Sequence, residues 1–111
     1  MRRGNLLAGT VAGRTAERFD ELARAEGIRI ERIASPAGQR TPGPWYDQGW
    51  CEWVLLVEGR AGLDVEGEGA PLELGPGDWL ELPPGCRHRV AWTDPRRETV
   101  WLAIHFGPGA A

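Results

Sequence analysis

The chemistry open to this chain centres on two imidazoles, His88 and His105, and on polar groups that short strands would carry toward them: Glu52, Asp47, Gln48 and Tyr46. A carboxylate and an imidazole such as Glu52 and His88 can share a buried pocket without metal, because each neutralises and satisfies the other. His88 follows Pro83-Pro84-Gly85, a turn that reverses the chain so that the next strand presents this side chain inward. His105 lies on the last strand, on the face of Trp101 and Ala103. It reads either as a base or extra ligand in a pocket, or as a satisfied core or interface histidine. Tyr46 offers a phenol at a pocket mouth, and Trp45 and Trp92 are aromatics suited to line the entrance. Cys86, in the turn two residues before His88, reads as an inert small hydrophobe. Cys51 and Cys86 are too few for a disulfide framework and have no metal-finger spacing around them.

These residues must be positioned by short elements. Thr15 can cap a helix over Ala16–Ala25, with Phe19, Leu22 and Ala23 on one face and Glu26-Gly27 ending it. After Gly27 the chain reads as strands punctuated by Gly and Pro. They are Ile28–Ala34, Cys51–Glu58, Ala61–Val65, Pro71–Leu74, Trp79–Leu82, Arg87–Trp92 and Glu98–Phe106, with a long loop over Ser35–Pro44. No helix separates the strands to make parallel crossovers, so a sandwich or barrel is expected. Along Cys51–Glu58, Glu52, Val54 and Leu56 share one face, and Cys51, Trp53, Leu55 and Val57 the other. Both faces are largely apolar. One suits a barrel interior; the other needs the N-terminal helix or a second subunit. Arg87 and Arg89 flank His88 on the opposite strand face and are expected outward, pairing with Glu81 or solvent.

Gly77-Asp78-Trp79-Leu80-Glu81-Leu82-Pro83-Pro84-Gly85-Cys86-Arg87-His88 resembles the second cupin motif, G-x5-P-x-G-x2-H, with Gly77, Pro83, Gly85 and His88 in register. Leu80 and Leu82 would point into the barrel. Where the family motif ends in an asparagine that is not a ligand, this chain has Trp92. The first motif, G-x5-H-x-H-x3,4-E-x6-G, is met in its second half by Glu52 and Gly59. Its two histidines fall on Trp45 and Asp47 with the longer spacer, or on Tyr46 and Gln48 with the shorter. Trp45-Tyr46-Asp47-Gln48 is also similar to a group of small single-domain bacterial cupins without an assigned reaction. The resemblance implies an all-β fold, an antiparallel jelly-roll (double-stranded β-helix) barrel over residues 28–106 behind a helical cap at 1–27. In metal-binding cupins three histidines and the glutamate hold one divalent ion. Carried over residue by residue, that leaves Glu52 and His88, with Asp47 or Gln48 to complete a set suited to Mn, Fe, Ni or Zn.

Composition narrows the rest. At 111 residues there is room for one core, and association would add to a modest margin of stability. The formal net charge is −3, and the thirteen basic residues are all arginine, scattered or paired with acids rather than striped, so nucleic-acid binding is not expected. No apolar run reaches membrane-spanning length. The start, Met1–Ala8, is only faintly signal-like, and a cytoplasmic protein without a membrane partner is expected. Two functions remain open. One is a metal cupin acting on a small molecule by oxygenation, isomerisation or decarboxylation; the other is a metal-free module binding a small organic ligand or sugar. A symmetric homodimer through the Trp53, Leu55 and Val57 face is expected with either.

Overall fold

The computed structural model describes residues 1–9 and 16–111. Eight strands make up the fold: β1 (Arg18–Ala25), β2 (Ile28–Ser35), β3 (Cys51–Glu58), β4 (Ala61–Val65), β5 (Leu72–Leu74), β6 (Trp79–Leu82), β7 (His88–Thr93) and β8 (Thr99–Phe106). They form two antiparallel sheets, in the orders β1-β2-β8-β3-β6 and β5-β4-β7. The core lies between them. Ile33, Val54, Leu56 and Trp101 from the larger sheet meet Ala61, Leu63, Leu74 and Val90 from the smaller. The strand pattern leads to a sandwich or barrel, and this is the jelly-roll form that the family resemblance implies.

The expected helix over Ala16–Ala25 is a strand. Its proposed cap, Thr15, lies outside the described residues. Ala, Leu, Glu and Arg favour a helix by only a few tenths of a kcal/mol each. Docking this segment on β2 instead pairs it along its length, from Arg18 opposite Ala34 to Ala25 opposite Ile28. Glu26-Gly27, read as a helix stop, is the hairpin turn, with Gly27 at φ 73°. Strand β1 is thus an edge of the sheet, not a cap over it.

Two other features set up the site. Gly59, the closing glycine of the first motif, turns between β3 and β4 at φ 93°, and a Cβ there would lie 2.6 Å from Thr99 Oγ1 and 2.8 Å from the Glu98 carbonyl oxygen. Only glycine fits both the dihedral and the space. In β2 the alternation is inverted relative to a simple core strand. Arg29 and Glu31 line the cavity, while the half-buried Ile28 and Ile30 lie on the opposite face of the sheet.

Candidate functional site

One end of the barrel holds a cavity of about 370 Å³ whose walls include Tyr46, Gln48, Glu52, His88 and His105. Strand β3 brings Glu52 inward beside Val54 and Leu56. The Pro83–Gly85 turn delivers His88 to the start of β7, and both side chains are buried. His88 Nε2 lies 3.3 Å from Glu52 Oε1. His88 Nδ1 lies 3.0 Å from the Cys86 carbonyl, which can only accept, so Nδ1 carries a proton and Nε2 is the nitrogen offered to the carboxylate. Burial works to raise the Glu52 carboxyl, but His88 and the Gln48 amide, 2.7 Å away, outweigh it and hold the group below its ordinary value. Burial likewise works to lower His88, and Glu52 with the Cys86 carbonyl raises it above its usual range. The pair is therefore a carboxylate beside an imidazole that readily holds a second proton.

Backbone pairing sets Tyr46, rather than Trp45, directly opposite His88. Tyr46 and His88 form a two-way bridge, Tyr46 N–H to the His88 carbonyl at 2.7 Å and His88 N–H to the Tyr46 carbonyl at 3.1 Å. Directly opposed residues share a face, so Tyr46 points into the cavity with His88, and alternation brings Gln48 in after it. The Gln48 carbonyl takes the Gly85 N–H at 2.8 Å, which ties this segment to the motif turn. Tyr46 and Gln48 stand at the two motif-histidine positions. Asp47 is exposed and does not line the cavity.

Trp92 does not line the cavity either. The β4–β7 ladder pairs Gly62 with Trp92 but Leu63 with Val90, so one residue is extra. The bulge turns Trp92 to the outer face, where its ring covers Gly62 and a Cβ on that glycine would lie 2.0 Å from Nε1. Trp45 is on the outside too, under the guanidinium groups of Arg87 at 4.8 Å and Arg89 at 4.2 Å. Those arginines point outward as expected, but their acids are Glu66 and Asp64 rather than Glu81.

His105 forms a second buried pair, which the sequence did not assign. Its Nε2 lies 2.8 Å from Glu31 Oε1, and its Nδ1 accepts the Trp50 indole N–H at 2.9 Å. An indole can only donate, so Nδ1 is the acceptor and Nε2 is the nitrogen turned to the Glu31 carboxylate. A third pair completes the lining: the Tyr46 hydroxyl donates to Glu17 Oε1 at 2.7 Å, and Ser35 donates to Glu17 Oε2 at 2.8 Å. Burial and the Glu17 carboxylate push the phenol well above its ordinary value. Glu17, Glu31 and Arg29 escaped sequence reasoning because residues 16–25 were read as a helix and no face of the Ile28–Ala34 strand was assigned to the pocket.

A resident transition metal is ordinarily held by three or more imidazole, thiolate or carboxylate side chains. Among the described residues no group of three or more His, Cys, Asp and Glu side chains is placed to hold an ion. Glu52 and His88 meet only the Gln48 amide, and the Tyr46 phenol at the remaining motif position is committed to Glu17. This donor set does not fit a resident Mn, Fe, Ni or Zn ion.

No helix among the described residues is long and apolar enough to cross a membrane. The cupin domain family model matches residues 32–105. No curated protein matches the chain in sequence. Among solved structures, a "putative mannose-6-phosphate isomerase" from Ralstonia eutropha JMP134 is 50% identical, covers 96% of this chain and 98% of its own, and superposes with a TM-score of 0.86. A cupin superfamily protein from Desulfitobacterium hafniense DCB-2 has 19% identity, 96% and 92% coverage and a TM-score of 0.75. The polyketide cyclase RemF from Streptomyces resistomycificus has 19% identity, 96% and 79% coverage and a TM-score of 0.75. The last two likenesses speak to the fold alone. With the family match spanning both motifs and most of the barrel, the chain belongs to the cupin domain family.

Proposed function

We propose that the barrel binds a small polar organic molecule and moves a proton on it, using Glu52 as acceptor and His88 as donor. The observation that carries this reading is the contact of Glu52 and His88, at 3.3 Å, inside a cavity of about 370 Å³. A carboxylate held ionised beside an imidazole that holds a proton is the pairing proton transfer needs. His105 has both ring nitrogens engaged, one by the Trp50 indole and the other by Glu31. It orients the wall and leaves the proton chemistry to His88.

The name of the half-identical Ralstonia protein points to a sugar isomerisation, a reaction that shifts a proton between carbons beside a carbonyl. That supports a hydroxylated carbonyl compound as the substrate class. The test is solvent exchange: the protein is incubated in D2O with aldoses and ketoses, and deuterium at the carbon beside the carbonyl is followed by NMR. Exchange that disappears in Glu52→Gln and in His88→Ala supports proton transfer. Saturable binding without exchange in the wild type selects the alternative, a metal-free binding module for a small organic ligand or sugar.

We further propose that the chain works as a symmetric homodimer. The helix expected to cover the outer face of β3 is instead β1 of the same sheet. Trp53 and Trp79 pack ring to ring at 5.9 Å on that face, and Trp79 is 58% exposed. Leu55, Leu102, Ile104, Ile28 and Ile30 continue the apolar surface, all half-buried. A contiguous face of this kind suits a second copy of the same chain.

A further inference from the structure

The cavity wall of the larger sheet carries a row of ionisable side chains that begins with two arginines. Across β1, β2, β8 and β3, the cross-strand partners run Arg24, Arg29, His105 and Glu52, and all four line the cavity. Arg24 is in that row because of an irregularity. Alternation from Phe19 and Glu21 would turn Ala23 inward and Arg24 away. The β1–β2 ladder slips between Glu21 and Ala23, and beyond the bulge Arg24 stands directly opposite Arg29. Like charges opposed across a strand pair are destabilising, and bulges commonly re-aim side chains beside functional sites.

The two arginines differ in how they are engaged. Arg24 is held by Glu21, with bonds of 2.6 and 2.9 Å. Arg29 Nε, by contrast, is buried and meets no hydrogen-bond partner. Its closest carboxylate, Glu31, is 3.9 Å away, and its guanidinium lies 5.6 Å from the Trp50 ring centre. Among the described residues, Arg29 Nε is the single buried side-chain nitrogen or oxygen without a partner. A buried donor left unmet is costly and calls for a partner, and a guanidinium presents its donors as a planar fork that matches two oxygens of one carboxylate or phosphate.

We propose that Arg29, with Arg24 opposite it, is an oxyanion subsite at the rim of the cavity that selects small molecules bearing a carboxylate or phosphate group. This rests on the reading of the barrel as a small-molecule pocket. The order of the row places His105 and then Glu52 beyond the subsite, so an anion on Arg29 leaves the rest of the ligand directed at the Glu52–His88 pair. Glu21 and Glu31 offset the two guanidinium charges, which suits one terminal oxyanion rather than a polyanion.

Mannose, mannose 6-phosphate and mannuronate form a matched neutral, phosphate and carboxylate set. Calorimetry at low ionic strength, alongside fluorescence of the cavity tryptophans Trp50 and Trp101, measures each on the wild type, on Arg29→Gln and on Arg24→Gln. At least one charged sugar should bind tenfold or more tighter than mannose, and the better of the two identifies the oxyanion. Raising the salt should shrink that margin. Arg29→Gln should bring the charged sugar to parity with mannose while leaving mannose itself unchanged, and Arg24→Gln should give a partial loss. Arg29→Lys, which keeps the charge without the fork, should fall between wild type and Arg29→Gln. Mannose binding as well as its charged relatives would overturn the subsite and leave the small-molecule pocket standing. So would an anion preference that survives Arg29→Gln. If none of the three sugars binds saturably, the subsite and the sugar reading of the pocket fall together.

Discussion

His88 and Glu52 face each other inside the barrel at 3.3 Å, while the other nitrogen of the same imidazole is spent on the Cys86 carbonyl. Both partners titrate differently folded and unfolded, and the signs fix a pH window. Glu52 is held below its ordinary 4.5, so its contribution is present above that value and is lost as pH falls through the folded pKa. His88 is raised above its ordinary 6.5, so its contribution is full below that value and fades as pH rises through the folded pKa. Thermal stability should therefore be greatest between about 4.5 and 6.5 as far as this pair is concerned. Melting scans across pH on wild type and Glu52→Gln check it, and a wild-type profile no more pH-dependent than the variant would refute the coupling.

Gly59 gives a sharper mechanical prediction. Its φ of 93° and the 2.6 Å approach of Thr99 Oγ1 to a Cβ leave no room for alanine. Gly59→Ala should lower the unfolding free energy by about 2–3 kcal/mol, read from urea denaturation. Gly69 has nothing within 4 Å of a Cβ, and Gly69→Ala should stay within about 0.5 kcal/mol of wild type. Equal losses at both positions would contradict the steric account.

The strands from β2 onward, and the inward aim of Glu52 and His88, were legible because turn glycines and prolines punctuate them and alternation assigns their faces. What failed has a common cause: period and propensity are local, whereas a pairing partner is not. Arg18–Ala25 has helix-favouring residues, and only the unpaired edge of β2 makes it a strand. Bulges at Ala91 and between Glu21 and Ala23 each shift the side-chain period by one residue, which sent Trp92 out and Arg24 in. The choice between Asp47 and Gln48 depended on a single bridge, Tyr46 to His88, between a loop and a strand. Arg29 and Glu31 could not be assigned to the cavity from the alternation of β2 alone, because charged side chains at every second position fit a solvent face as well as a polar cavity.

The metal follows from the donor set. Protein purified without chelators should contain well under one equivalent of Mn, Fe, Ni or Zn by elemental analysis. Adding each ion should leave the melting temperature within about 1 °C, since an ion bound only by the folded state must raise it. Asp47→Asn should change neither measurement, because Asp47 is exposed and outside the cavity. A stoichiometric ion that is lost in both His88→Ala and Glu52→Ala would show that Gln48, with solvent, completes a site after all.

The outer face of the larger sheet supplies the last prediction. Trp79 stands opposite Leu55 at the sheet edge, stacked on Trp53, and is the most exposed tryptophan of the described residues at 58%. Tryptophans at the centre of an interface commonly contribute 2 kcal/mol or more, about a 30-fold change in dissociation constant. Light scattering should show a dimer at micromolar concentration, and Trp79→Glu should move it toward monomer at that concentration. The cavity lies on the other face of the same sheet, so pocket binding by Trp79→Glu should persist in the monomer. A wild type that is already monomeric, or a variant that stays fully dimeric, would show that this apolar face is not where the copies meet.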